Sequence, residues 1–143
     1  MNIKIITAGK PKKDFEKLFE IYTKRLSSFC NLEIFHIKEN KDFEKKILKK
    51  IEKTFLVILD EKGQNLSSQE LANFLEKKEE TGENNISFLI GPADGHSEEI
   101  KKRANLIISF SKLTFPHDLA MIILSETLYR SFSILKNHPY HRI

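Results

Sequence analysis

The residues best suited to chemistry lie close together near the end of the chain. His138, Tyr140, His141 and Arg142 fall within five consecutive positions. An imidazole exchanges a proton near neutral pH, whereas a tyrosine ring and a guanidinium group stack on unpaired bases, and arginine also binds phosphate. Chain ends are usually frayed and inert, so these side chains need an explanation, and Tyr140 and Arg142 favour contact with RNA. The alternative is structural, with Tyr140 packing the tail against the domain.

A metal site is the weaker interpretation of the same tail. His138 and His141 are three positions apart, but Pro139 breaks the helical spacing between them. Neither a thiol nor a carboxylate lies close by in the sequence, and metal sites in proteins draw on such ligands. We therefore expect no bound metal.

Two loops follow apolar runs and have unusual compositions. Gly91-Pro92-Ala93-Asp94-Gly95 follows Ile86–Ile90, and its glycines let the backbone approach a ligand or adopt a positive φ. An ordinary tight turn is the alternative. The lack of a following Gly-Lys-Ser/Thr, and of G-x-G-x-x-G spacing at the first strand, argues against P-loop and Rossmann proteins. The second loop, Ser111–Phe115, has backbone amides and carbonyls that could hold an adenine.

Asp60 and Lys112 favour a different class of protein, the receiver domain of a phosphorelay. Such domains carry a phospho-acceptor Asp and a Lys at the ends of their third and fifth strands. They also need an acidic cluster beyond the first strand to hold Mg²⁺. The loop at that point is TAGKPKK, residues 7–13, and it is basic. The receiver therefore remains only as a structural analogue.

Apolar periodicity predicts alternating strands and helices. The strand-like runs are Asn2–Ala8, Leu32–Ile37, Phe55–Leu59, Ile86–Ile90 and Leu106–Phe110. Helical patterns cover Phe15 to Leu26, Asp42 to Lys53, a segment capped by Ser67 or Ser68, Ser97 to Ala104, and His117 to Leu135. Three strands are almost wholly apolar, which predicts an α/β domain with a mainly parallel sheet and helices on both faces. Ligands of such sheets bind beyond the carboxyl ends of the strands.

Length and composition bound the remaining possibilities. The 143 residues suit a single domain over positions 1–143, and 40% hydrophobic with 31% charged residues excludes collagen and intrinsic disorder. Cys30 is the only cysteine, so no internal disulfide forms. The N-terminus shows neither a basic leader nor a membrane-length apolar run, and we expect a cytoplasmic protein with no membrane partner.

Positive charge is concentrated in two regions. The formal net charge is +4, and residues 1–13 contain four lysines and no acid. Residues 128–143 contain Arg130, Lys136 and Arg142, again without an acid. A polyanion such as RNA is therefore a candidate partner, although lysine-rich surfaces are commonly just solvated.

These motifs together resemble the RlmH family. The resemblance rests on Leu59, Leu89-Ile90-Gly91 with Gly95, Ser111–Thr114, Pro116-His117, Leu128-Tyr129-Arg130 and the terminal Asn137–Arg142. It spans essentially the whole chain, and the tail is its most specific part. Members of this family are SPOUT-class methyltransferases that modify a pseudouridine in large-subunit ribosomal RNA.

The resemblance implies a fold, a cofactor and a set of site residues. The implied fold is of SPOUT type with a C-terminal trefoil knot, S-adenosylmethionine bound in the knot, and a homodimer that completes the site. Knots are nearly absent from protein folds, so this expectation rests on the resemblance alone. The implied cofactor contacts are Leu59, Gly91, Phe110, Ser111, Lys112, Leu113, Thr114 and Phe115. Near the cofactor and the target base, the family places the tail residues Tyr140, His141, Arg142 and His138.

The sequence departs from the family pattern at two positions. Pro92 stands where the usual Ile-Gly-Gly-Pro-Glu-Gly loop has its second glycine, and proline lacks an amide hydrogen and has a fixed φ. Met121 stands where the family commonly has an arginine, so we expect a basic contact to RNA, or across the dimer, to be missing. The altered loop leaves open a non-catalytic RNA- or ribosome-binding module of the same fold.

The implied reaction is methyl transfer to ring nitrogen N3 of a pseudouridine, on assembled ribosomes. It needs in-line placement and removal of one proton, so a sparse site is sufficient. Arg142 would favour the anionic base, while His138, His141, Tyr140 or water could take the proton. Independently, the last helix is apolar on most sides, which predicts a homodimer.

Overall fold

The computed structural model describes residues 1–142, and Ile143, the last residue of the predicted basic region 128–143, lies outside the described residues. Strands and helices alternate along the whole chain. In order they are β1 (Asn2–Ala8), α1 (Lys13–Leu26), β2 (Asn31–Ile37), α2 (Phe43–Lys50), β3 (Phe55–Asn65), α3 (Ser68–Glu80), β4 (Asn85–Ile90), α4 (Glu98–Arg103), β5 (Leu106–Ser109) and α5 (His117–Leu135).

The strands form one five-stranded sheet in the order β2-β1-β4-β3-β5. Every neighbouring pair is parallel. The predicted α/β class is therefore confirmed. Because β3 lies between β4 and β5, the carboxyl ends of these three strands meet at one edge, and the loops that follow them come together there.

Helices cover both faces of the sheet, as the apolar strands predict. Side chains from α1, α3 and α5 pack on one face around Phe88 of β4. On the other face, Ile47 of α2 and Ile100 of α4 pack against Ile58 of β3. Successive residues of a strand point to opposite faces, so a strand with two buried faces must be apolar throughout.

Helix α5 is the longest helix of the described chain, and it packs against both α1 and α3. Each of its residues is buried or half-buried within the single chain. This accounts for its apolar composition without a second subunit, so the composition of α5 no longer argues for the predicted homodimer. The homodimer stays a prediction that needs other support.

Strand β3 continues beyond the predicted end at Leu59 as far as Asn65. Its pairing with β5 shifts in register, because both Leu59 and Gln64 pair with Ile108. Gly63 lies so close to β5 that a Cβ at this position would come within 2.6 Å of the Ile108 carbonyl carbon. Only glycine allows this approach of two backbones.

Within residues 1–142, no helix is long and apolar enough to cross a bilayer.

Candidate active site

A cleft of about 510 Å³ opens at the carboxyl ends of β3, β4 and β5. Ile90 ends β4, and Leu59 lies within β3 just before its register shift. The N-terminus of α5 closes one side with His117 and Ala120. The loops after β4 and β5 form most of the remaining wall. This is the edge where parallel α/β sheets bind their ligands.

Seven of the eight cofactor contacts implied by the resemblance line this cleft. They are Leu59, Gly91, Phe110, Ser111, Leu113, Thr114 and Phe115. Lys112 is exposed and does not line it. Residues from three separate parts of the sequence thus converge on one cavity.

The loop after β5 is held by its own serine hydroxyls. The Ser109 hydroxyl donates to the Ser111 carbonyl at 2.6 Å, and the Ser111 hydroxyl accepts from the Leu113 amide at 3.0 Å. Thr114 donates to the Glu61 carboxylate at 2.5 Å, which ties the loop to β3. These bonds fix the backbone of the loop, while the Leu113 side chain remains 71% exposed at the rim.

The turn from Gly91 to Gly95 tolerates the proline that departs from the family pattern. Gly95 has a φ of 87° and donates its amide to the Pro92 carbonyl at 2.9 Å. Pro92 contributes only an acceptor to this bond, so its missing amide hydrogen leaves the turn intact. A positive φ at Gly95 explains why a glycine closes the loop.

His96 is a cleft residue that the sequence analysis did not identify. Its Nε2 donates to the Leu59 carbonyl at 2.9 Å, and its ring packs against Gly91. Burial lowers the pKa of His96, and Lys101 lowers it further, while the bond to Leu59 and the Asp60 charge oppose the shift. The signal available in the sequence was a histidine placed directly after a glycine loop.

The cleft also carries charged residues that the sequence analysis did not assign to it. The acidic ones are Asp60, Glu61 and Asp94, and the basic ones are Lys62 and Lys101. Asp60 is the residue that suggested a receiver domain, but Lys112, the other half of that pattern, lies outside the cleft. The arrangement therefore lacks the Asp and Lys pair on which the receiver interpretation depended.

His117 bonds the loop after β4, and its charge also acts on His36 of β2. Its Nδ1 donates to the Gly91 carbonyl at 3.2 Å, and its Nε2 is buried without a hydrogen-bond partner among residues 1–142. His36 of β2 hydrogen-bonds the Thr7 hydroxyl at 2.6 Å. Burial lowers the pKa of His36 first, followed by the charges of Lys10 and His117.

The tail lies against α5 rather than in the cleft. The Tyr140 ring stacks edge-on to Tyr129 at 4.7 Å, and its hydroxyl donates to Glu126 at 2.9 Å. Arg130 bonds the same carboxylate at 2.6 Å and approaches His141 Nδ1 at 3.2 Å. Within residues 1–142, no tail residue lines the cleft. A single chain therefore does not bring the predicted catalytic residues to the predicted cofactor contacts.

The environment of the tail changes its acidity. Burial and the bond to Glu126 raise the pKa of Tyr140 to about 12. The hydrogen bond to Glu126 also raises the pKa of Arg130. Tyr140 thus has the packing role offered as the structural alternative, and in this position it is a poor proton acceptor. His138 and Arg142 are exposed.

The structure also shows the surroundings of Met121 and Lys4, two residues that the sequence analysis singled out. Met121 is fully buried in the core, so position 121 does not face a partner from the surface of the single chain. Lys4, counted with the basic N-terminal region, bonds the Lys50 carbonyl and lies over the Phe35 ring. Within residues 1–142, no group of three or more His, Cys, Asp or Glu side chains is placed to hold a metal.

Comparisons with known proteins agree with this fold. The family model described as "Predicted SPOUT methyltransferase" matches residues 1–141. The chain is 40% identical, over 99% of its length and 100% of the relative's, to ribosomal RNA large subunit methyltransferase H of Clostridium botulinum strain 657. It is 38% identical, with the same coverage, to ribosomal RNA large subunit methyltransferase H 1 of Clostridium perfringens strain SM101.

Solved structures share the fold at low sequence identity. A probable methylase family protein from Haemophilus influenzae Rd KW20 aligns with a TM-score of 0.59 at 10% identity, over 96% of this chain and 67% of that one. The SpoU methyltransferase AviRb from Streptomyces viridochromogenes, solved with AdoMet, aligns with a TM-score of 0.51 at 8% identity, over 96% and 61%.

The family match and the curated relatives identify a SPOUT-class methyltransferase, and the fold is consistent with it. The chain belongs to the SPOUT methyltransferase family, in the branch of the ribosomal RNA large subunit methyltransferase H proteins. The resemblance to the RlmH family and the predicted SPOUT-type fold class are confirmed.

Proposed function

We propose that this protein is an S-adenosylmethionine-dependent methyltransferase of large-subunit ribosomal RNA, formed by one SPOUT domain over residues 1–143. The target is N3 of a pseudouridine, and the substrate is the assembled ribosome in the cytoplasm. One observation carries the proposal: seven residues implied as cofactor contacts by a family resemblance line a single cleft in the folded chain.

The cleft fits the proposed cofactor in size and in the chemistry of the groups that line it. Its volume of about 510 Å³ is in the range of small-molecule sites, roughly 300–1,000 Å³. The backbone groups of the loop after β5 suit an adenine, and the carboxylates of Asp60, Glu61 and Asp94 suit a cofactor with a positively charged sulfonium and an amino group. S-adenosylmethionine supplies an electrophilic methyl group.

The reaction asks little of the side chains apart from positioning. The N3 proton of the base goes to an acceptor, the N3 lone pair forms the new bond to the methyl carbon, and the carbon–sulfur bond breaks to leave S-adenosylhomocysteine. His138 and His141 are the candidate acceptors, because the raised pKa of Tyr140 keeps its hydroxyl protonated. Arg142 stabilises the anionic base electrostatically.

The proposal includes a homodimer in which the tail of one chain completes the cleft of the other. Its support is the separation of the two predicted groups within one chain. Two apolar side chains also remain exposed: Leu113 at the cleft rim is 71% exposed, and Leu18 on α1 is 42% exposed. The C-terminal trefoil knot is part of the same proposal and rests on the family match over residues 1–141.

The test is transfer of a radiolabelled methyl group from S-adenosylmethionine to ribosomes that lack the modification. The expected result is one methyl group per large subunit, located by mass spectrometry on N3 of a pseudouridine. Free ribosomal RNA and isolated small subunits are the matched controls and should remain unlabelled. Labelling of free RNA as fast as of ribosomes would contradict the assembled substrate. If calorimetry detected no binding of S-adenosylmethionine, the result would contradict the proposed enzyme and favour the alternative, a non-catalytic RNA-binding module.

A further inference from the structure

We propose that His96 is a positioning residue of the cofactor cleft. It joins the loop after β4 to Leu59 of β3, and a proton on its ring disfavours the cofactor, which carries a sulfonium charge, relative to the product, which has lost that charge. This inference rests on the proposed cofactor site. The hydrogen bond from His96 Nε2 to the Leu59 carbonyl is called the His96 bridge below.

The His96 bridge joins two walls of the cleft, the loop after β4 and the middle of β3. Its 2.9 Å bond starts in the loop after β4 and ends on the last paired residue of β3 before the register shift. Leu59 and Gly91 are both implied cofactor contacts, and His96 touches both. Because the carbonyl of Leu59 accepts this bond, Nε2 carries the proton and the neutral ring leaves Nδ1 as an acceptor.

The packing of the ring explains the glycine at position 91. A Cβ on Gly91 would lie 2.7 Å from Cε1 and 2.8 Å from Nδ1 of His96. The φ of Gly91 is not in the left-handed region, so its backbone conformation alone does not demand glycine. The ring therefore occupies the space that a larger side chain at position 91 would need, and the two residues are sterically coupled.

Protonation of His96 would have a second effect, because it would change the affinity of the cleft for a positively charged cofactor. The groups around it are Asp60 on β3, Lys101 on α4, Asp94 in its own loop and His117 on α5, while Glu44 of α2 bonds the adjacent Ser97. Burial lowers the pKa of His96, so its ring is neutral at pH 7. Protonation would keep the bond from Nε2 but add a positive charge to a cleft that receives a sulfonium cation.

The experiment measures dissociation constants of S-adenosylmethionine and S-adenosylhomocysteine by calorimetry between pH 5.0 and pH 7.0. The sulfonium is positive and the sulfur of the product is neutral, so their ratio isolates the charge effect. In the wild type, the ratio of the S-adenosylmethionine constant to the S-adenosylhomocysteine constant should rise by about tenfold as the pH falls. In His96→Gln the ratio should stay constant, and affinity at pH 7.0 should stay near that of the wild type, because the amide still donates to Leu59.

Two more variants complete the test. His96→Ala should weaken both ligands by about tenfold at pH 7.0, since the Leu59 carbonyl loses its partner. His36→Gln is the matched control, because it changes a histidine that does not line the cleft and should preserve the pH-dependent ratio. A ratio that still changes with pH in His96→Gln, or wild-type affinity in His96→Ala, would overturn the inference.

A double-mutant cycle tests the bridge without any cofactor. Gly91→Ala should lower the thermal unfolding midpoint of the wild type, and the same change should be nearly neutral in the His96→Ala background. Additive effects would overturn the steric coupling. If the wild type bound neither ligand, the proposed function would fail, whereas this cycle would still report on the His96 bridge.

Discussion

The Tyr140 hydroxyl donates a hydrogen bond to Oε1 of Glu126 at 2.9 Å, and Arg130 bonds the same oxygen. The Arg130 guanidinium also lies over the Tyr140 ring at 4.9 Å. One carboxylate on α5 therefore anchors the tail, and the residues beyond Tyr140 begin from a fixed point. The two roles considered for the tail are compatible, because packing by Tyr140 can position His141 and Arg142.

Arg142→Ala should reduce methyl transfer to ribosomes by about 10²–10³, since a donor that stabilises the transition-state anion is typically worth that much. Arg142 is exposed, so unfolding temperature and cofactor affinity should not change. Single-turnover transfer of a radiolabelled methyl group measures the rate. Lys136→Ala, which removes another exposed basic residue after α5, is the control and should be fully active. If Arg142→Ala transferred methyl groups at the wild-type rate, Arg142 would have no role in catalysis.

Deletion of residues 140–143 should abolish transfer and also lower the unfolding temperature. The stability loss is expected because Tyr140 packs against the main core and bonds Glu126. Differential scanning calorimetry compares the deletion with Tyr140→Phe, which keeps the ring and loses only the hydroxyl. A deletion that unfolds at the wild-type temperature would show that the contacts of Tyr140 contribute little.

Mixing two inactive variants should restore activity if the tail of one chain serves the cleft of the other. Arg142→Ala retains an intact cleft, and Gly91→Leu retains an intact tail with a blocked cleft. In a mixed dimer one cleft meets one intact tail, so equal amounts should recover about a quarter of the wild-type activity. Light scattering should give twice the 16.7 kDa chain mass. Recovery of no activity from dimers that demonstrably exchange would contradict the shared site.

Gly63→Ala should destabilise the fold by about 1–3 kcal/mol, in the range of overpacked cores. The new Cβ would meet backbone atoms of Ile107 and Ile108 within 2.8 Å, and β5 would have to move. Since β5 leads into the loop Phe110–Phe115, cofactor affinity should fall as well. Urea unfolding and calorimetry measure the two effects, with Gln64→Ala, an exposed neighbour, as the control. Equal stability of both variants would contradict the close approach.

Stability should fall as the pH drops below about 6.5, the ordinary pKa of a histidine in the unfolded chain. The pKa values of His36 and His96 are lowered in the folded state, mainly by burial. Between the folded and unfolded pKa values the unfolded chain binds more protons, so their contribution is complete above pH 6.5 and is lost below it. Urea unfolding from pH 5 to pH 8 should show a shallower decline in His36→Gln/His96→Gln. If the double variant lost stability with falling pH as steeply as the wild type, groups other than His36 and His96 would be responsible.

The sequence by itself determined the class of fold, and it predicted seven of the residues that line the cleft. Apolar strands such as β4 can only be buried on both faces, which requires a parallel sheet with helices on either side, and the bounds of α5 follow from periodicity alone. The motifs around Gly91 and Ser111 resembled a known family, and the carboxyl ends of adjacent parallel strands bring such loops together.

The tertiary structure alone decided how these residues meet. That His96 would bond Leu59, from a position 37 residues away, depends on β3 and β4 lying side by side, and no local pattern encodes that contact. The tail was recognisable by composition, yet its place on Glu126 depends on how α5 ends and on the turn at Asn137, where φ is 53°. Periodicity shows which faces are buried, whereas the partner of each side chain follows only from packing of the whole chain.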